Sequence, residues 1–193
     1  MGKKQKMLIL AGMVLIGLSA GLLVFTQLFA ANSRSKAQRI VSQIEAQLPT
    51  PHPGVPDSFL NPQMSVLSLK EGDFCALVEI PAYGLTLPVE DIWNSGSLQT
   101  YPCRYYGSVD SGDLVIGGSD QEGQFDFFDQ LNNGAQIRLT DMTGRVFTYT
   151  VVRIDRFANV NEQYLISRDY PLTLFVRDQY SLDYLLVRCV LGR

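Results

Sequence analysis

Histidine is almost missing from this chain: among 193 residues there is one, His52, set between prolines in "TPHPG". A single imidazole in such a stretch reads as a solvated side chain, and a His general base or a His-held metal would have no other residue to use. Cysteine is scarce as well. Cys75, Cys103 and Cys189 form no Cys-x-x-Cys or Cys/His spacing, which argues against a zinc or redox centre. Their odd number leaves at least one thiol unpaired; Cys103 and Cys189 remain open between a disulfide and free thiols, whereas Cys75, next to the strand-like "ALVEI", reads as a small core residue. Acidic residues are absent before residue 40, where Lys3, Lys4, Lys6, Arg34, Lys36 and Arg39 stand alone. The remainder carries ten basic against nineteen acidic residues, a net of −9, and an acidic body without clustered Lys and Arg excludes nucleic acid as a partner. Asp120, Glu122, Asp126 and Asp129 lack the spacing of a calcium loop and read as solvated surface. Neither a metal nor a cofactor is expected.

What the chain does have is a long apolar run. Met7–Phe29 holds 23 residues without a charge, enough at about 1.5 Å per residue for a helix to cross a hydrocarbon layer of roughly 30 Å. Three lysines precede it, so the positive-inside rule places residues 1–6 in the cytoplasm and the rest outside, as a single-pass plasma-membrane protein. A cleaved signal peptide with Ala30 and Ala31 at the cut is the competing reading. The run exceeds the roughly 7–15 apolar residues of a signal sequence, which favours an uncleaved anchor. Residues 30–65 follow as a stalk and linker. Ala37, Ile40, Val41, Ile44 and Leu48 recur at helical spacing, suggesting an amphipathic helix that lies on the bilayer or acts as a spacer. Pro49–Gln63, with five prolines, reads as a semi-rigid linker.

Residues 66–193 are expected to form the folded domain. "CALVEI", "LTLPV", "DLVIGG", "AQIRLT", "RVFTYTVVRI", "LTLFV" and "YLLVRCVL" are short runs rich in Val, Ile, Thr and aromatics, separated by turn signals such as "PAYG", "SVDSGD", "NNGA" and "DMTGR". In "RVFTYTVV", Phe147, Tyr149 and Val151 alternate with Val146, Thr148 and Thr150, the period of a half-buried strand. Many short strands with little helix between them point to an all-β barrel or sandwich. "FDFFDQLNNG" reads as a short helical turn that docks its aromatics on the barrel and stops at Gly134.

Four segments in order, "IPAYGLTLPV", "YPCRYYGSVDSGDLVIGGSD", "GQFDFFDQLNNGAQIRLTDMTGRVFTYTV" and "LTLFVRDQYSLDYLLVRC", resemble the sortase family over about residues 74–191. The resemblance implies an eight-stranded β-barrel with short helices behind one N-terminal transmembrane helix. It also implies a transpeptidase of the Gram-positive cell envelope, acting on a sorting-signal peptide through a cysteine closing a "TLxTC" strand, a histidine ending a "VIxGH" strand and an arginine on the following strand. Each role demands its own side chain: a nucleophile, a proton carrier and a fixed cation.

Those three positions fall on other residues here. "LVIGGSD" gives Ser119 where the histidine belongs, and "LTLFVR" gives Val176 for the threonine and Arg177 for the nucleophile. The arginine position falls on Tyr184, or on Leu185 with a hairpin one residue longer. A guanidinium cannot attack a carbonyl, and a serine without a base cannot shuttle protons. The resemblance therefore implies a catalytically degenerate module whose groove, with Arg177, Ser119, Tyr184 and Asp120, binds a sorting-signal peptide or another envelope protein. Arg177 would favour a carboxylate. Tyr105, Tyr106 and Tyr184 are candidates for an aromatic rim. Two alternatives stay open: an active cysteine transpeptidase or hydrolase with an altered site, and a structural envelope protein whose groove is idle.

Overall fold

A computed structural model describes residues 3–56, 63–178 and 181–192; part of the Pro-rich linker, residues 57–62, lies outside them. The chain opens with one continuous helix, α1 (Lys3–Glu45). No proline interrupts Met7–Leu48 and its last glycine is Gly21, so no backbone feature separates the apolar span from the amphipathic stretch. Along Met13–Leu28 the large apolar side chains face outward, touching nothing in the barrel, and by length and composition this helix could cross a membrane.

The C-terminal part of α1 corrects an expectation. Ala37, Ile40, Val41 and Ile44 neither lie on a bilayer nor idle in a spacer; they are buried against the folded domain. Ile40, Val41 and Ile44 pack with Phe74, Leu77 and Tyr101, and partly buried Leu48, Leu67 and Leu69 extend that cluster. Gln38 Nε2 donates to the carbonyl of Thr86 (3.3 Å), and Arg34 pairs with Glu122 (2.8 Å). The helical period of this face was legible, but the strands that cover it arrive more than twenty residues later.

Among the described residues ten strands follow: β1 (His52–Pro53), β2 (Leu67–Leu69), β3 (Gly72–Ile80), β4 (Leu85–Glu90), β5 (Cys103–Tyr106), β6 (Leu114–Ser119), β7 (Gln136–Asp141), β8 (Arg145–Phe157), β9 (Leu172–Arg177) and β10 (Tyr184–Leu191). Eight of them close on themselves in the order β8-β10-β9-β6-β5-β4-β3-β7, with β7 returning to β8; β1 and β2 attach outside the ring. The expected eight-stranded barrel is thus present, and closure leaves its own strands without free edges. The stretch read as a linker is partly built in, because β1 runs parallel to β8 and Gly54 N–H donates to the carbonyl of Val146 (2.7 Å).

Alternation decides what fills the barrel. Phe147, Tyr149 and Val151 of β8 face inward with Ile116, Leu139, Leu174, Val176, Val187 and Cys189. At one mouth Phe125 and Phe128, stacked at 4.2 Å between centroids, plug the interior beside the helical turn Phe128–Gln130. Gly118 makes room for that plug: a Cβ there would sit 2.3 Å from the Phe125 ring. Outside the barrel, the β8–β9 connection carries α2 (Glu162–Leu165), whose first turn is capped by Asn161 accepting from the Tyr164 N–H.

Candidate functional site

β6 ends on Ser119, β9 ends on Arg177 and β10 begins on Tyr184. The register pairs Ser119 with Arg177 across the parallel β6–β9 ladder and Arg177 with Tyr184 across the antiparallel β9–β10 ladder. Paired residues on neighbouring strands lie about 5 Å apart and share a face. Three positions separated by 58 and 7 residues in sequence therefore form one row, on the outer face of the barrel and at one end of it.

The row is built around a fixed cation. Arg177 is exposed, its guanidinium carbon lies 5.6 Å from the Tyr184 ring centroid, and its Nε donates to the Leu182 carbonyl (3.3 Å). Leu182 is the non-glycine residue with a positive φ among those described, at 63°, a conformation that costs a β-carbon residue about 1–2 kcal/mol. That strained turn directs the carbonyl back at Arg177. Hairpin bonds close it: Asp178 N–H donates to Asp183 (2.8 Å) and Leu182 N–H to Asp178 (3.0 Å). Among the described residues no carboxylate lies within ion-pair reach of Arg177, since Asp178 is taken by Arg156 at 3.0 Å. Ser119 is tied through its backbone, its N–H donating to Gln124 Oε1 (3.2 Å), while Gln124 Nε2 donates to Leu98 (2.9 Å).

Asp120 is not part of this row. It lines a cavity of about 180 Å³ at the barrel mouth with Asp126, Asp129, Arg156 and the inward-facing Val176 and Leu185. Among the described residues no three His, Cys, Asp or Glu side chains are grouped to hold a metal ion. Tyr105 packs edge-on against Phe175 (5.6 Å) and Trp93 (5.2 Å), whereas Tyr106 is exposed.

All three cysteines are free and buried, so the open pairing of Cys103 with Cys189 resolves to two thiols. Cys103 pairs with Gly117 on β6 and Cys189 with Leu172 on β9, placing them three strands apart, beyond the reach of a disulfide. Burial pushes the Cys103 thiol up to about 12, with the Glu90 carboxylate adding to the effect, and its Sγ lies 3.5 Å from Glu90 Oε2. Burial likewise raises Cys75 and Cys189. Attack requires a thiolate, and these thiols are protonated at neutral pH. His52 is exposed on β1, opposite Arg145 of β8 and away from the row.

Two neighbours of the row were not anticipated. Trp93, from the β4–β5 connection, stacks on Phe175 (5.6 Å) over Gly117, where a Cβ would lie 2.4 Å from the indole. Together with Leu165 it covers the outer face two residues along from Arg177. Arg188, outward on β10 like Tyr184, is buried; its Nη1 donates to the carbonyl of Leu165 (3.1 Å) and to Thr173 Oγ1 (2.8 Å), its other terminal nitrogen donates to the Tyr164 carbonyl, and Tyr170 lies under it (5.3 Å). Strand alternation puts Arg188 on the outer face; nothing in the sequence says that α2 covers it.

Solved structures that share this barrel fold include sortases. The chain superimposes on sortase C1 from Streptococcus agalactiae (TM-score 0.53, 23% identity, 61% of this chain and 67% of that one). It also matches sortase A from Corynebacterium diphtheriae (0.56, 19%, 85% and 84%) and a sortase D5 transpeptidase from Clostridium perfringens (0.55, 19%, 68% and 83%). No family model matches the sequence, and no curated protein matches it. At these identities the likeness establishes the sortase fold.

Proposed function

We propose that this sortase-fold chain is a binding module that performs no transpeptidation and holds a carboxylate-bearing segment of a peptide or envelope protein on its outer face. In this reading residues 1–6 are a cytoplasmic tail, 7–29 cross the plasma membrane, 30–65 lead from it onto the barrel, where the end of α1 and β1 are seated, and 66–193 present the barrel outside the cell. The observation that carries it is the row itself. Where the resemblance implies histidine, cysteine and arginine, Ser119, Arg177 and Tyr184 stand in register, with an exposed guanidinium at the centre. A planar guanidinium flanked by an aromatic ring, with no ion-pair partner among the described residues, suits a carboxylate ligand. The buried, protonated thiols supply no replacement nucleophile.

The test is binding of a library of sorting-signal peptides of the LPxTG type, and of peptides ending in a free carboxylate, to the full-length protein. Arg177→Glu should weaken binding at least tenfold, and Arg177→Lys should retain part of it because the charge survives without the fork. Equal affinity of the wild type and Arg177→Glu would overturn the reading.

A further inference from the structure

On the flank of the barrel, between the β2–β3 turn and the β4–β5 connection, lies a pocket of about 510 Å³ that includes no residue of the Ser119–Arg177–Tyr184 row. Gly72, Asp73, Glu90, Ile92, Trp93 and Asn94 line it. Two of these are carboxylates that meet no cation. Among the described residues neither Asp73 nor Glu90 is in an ion pair, and Arg104 of neighbouring β5 is already held by Asp91 at 2.7 Å.

Glu90 is held in place from behind. Its Oε2 accepts a hydrogen bond from the buried Cys103 thiol (3.5 Å), which burial keeps protonated. Gly72 leaves room for the other oxygen, because a Cβ there would sit 3.0 Å from Oε1. One carboxylate oxygen is therefore fixed by the barrel wall and the second is left to the pocket. Beside the two acids stand apolar groups that remain exposed, Ile92 and the Trp93 indole. Carboxylates next to an aliphatic branch and an indole match a ligand that is positive at its tip and apolar along its stem, the make-up of lysine and arginine. A hard metal ion is the poorer occupant. It needs six or more oxygen ligands, the apolar half of this wall offers none, and among the described residues no three His, Cys, Asp or Glu side chains are grouped to hold one.

We infer that this pocket binds a basic side chain, lysine or arginine, of a partner segment, with the charged end on Asp73 and Glu90 and the stem along Ile92 and Trp93. The site is separate from the row and stands whether or not the row binds a carboxylate.

Trp93 is the only tryptophan of the chain, so its emission reports on the pocket directly. The full-length protein in neutral detergent at low salt is titrated with a capped hexapeptide carrying one lysine, and with its arginine, norleucine and glutamate counterparts. The lysine and arginine peptides should shift the emission to saturation. Norleucine keeps the stem and loses the charge; it and glutamate should bind at least tenfold more weakly. Asp73→Asn combined with Glu90→Gln should weaken lysine binding at least tenfold, the amide at 90 still accepting from Cys103. Asp73→Asn alone, at an exposed position that leaves the core untouched, should weaken it severalfold. Removing two charges elsewhere, by Glu162→Gln with Asp169→Asn on the β8–β9 connection, should leave the affinity unchanged. Equal weakening by the two double variants would reduce the effect to the net charge of the domain and overturn the pocket. Equal affinity for the lysine and norleucine peptides, undiminished lysine binding by the Asp73→Asn variant, or no emission change with any of the four peptides would overturn it as well.

Discussion

Ile44→Ala asks whether α1 belongs to the folded domain. Ile44 is fully buried, in contact with Phe74, Leu77 and Tyr101, and Phe74 and Tyr101 meet edge to face at 5.3 Å in the wall that receives it. Removing three carbons from a packed site costs the lost transfer energy plus a cavity, about 2–4 kcal/mol in all. Glu45→Ala, one residue on and exposed, should stay within about 0.5 kcal/mol. Trp93 is the only tryptophan, and its stacking on Phe175 makes its fluorescence a reporter of barrel unfolding. Urea titration of the full chain in detergent should show the Ile44→Ala midpoint lowered by about 1–2 M, given slopes of about 1–3 kcal/mol per molar. A spacer helix would give equal midpoints for both variants, and that result would refute the seating of α1.

The buried thiols make stability sensitive to alkali. Their folded pKa values are raised, so the stabilisation is complete below the ordinary value of 9.0 and is lost as pH climbs toward the folded value, for Cys103 about 12. At pH 10 each such thiol costs about 1.4 kcal/mol relative to pH 7.5, and Cys103→Ala should shrink the alkaline fall in the urea midpoint by that share; an undiminished fall would contradict the burial argument. Arg188→Met should strand the carbonyls of Tyr164 and Leu165, destabilise the protein by about 2–3 kcal/mol and open the β8–β9 connection to trypsin at Arg168. Unchanged proteolysis would show that Arg188 does not clamp that segment.

How much the sequence disclosed depended on whether a feature's cause was local. The β8 alternation was readable because Phe147, Tyr149 and Val151 need only the period of a strand. Ser119 and Arg177 could be placed because each ends an ungapped apolar run, and the ladders then brought them side by side. What stayed hidden depends on non-local partners. The apolar stripe of α1 was visible but its cover, Phe74 and Leu77 of β3 and Tyr101, was not. Trp93 over Gly117 and Arg188 under α2 needed a knowledge of which loops fold back over the outer face. Free Cys103 and Cys189 followed only once the strand order separated them.

The most direct measurement is mass spectrometry of a sorting-signal peptide library incubated with the full-length protein in vesicles, with bound and cleaved peptides read from the same sample. A module built around Arg177 should retain intact carboxylate-bearing peptides, lose them on Arg177→Glu, and yield no cleaved or protein-linked product. Cleavage that disappears on replacing Cys103 or Cys189 would contradict this and relocate the nucleophile to a thiol that the structure buries.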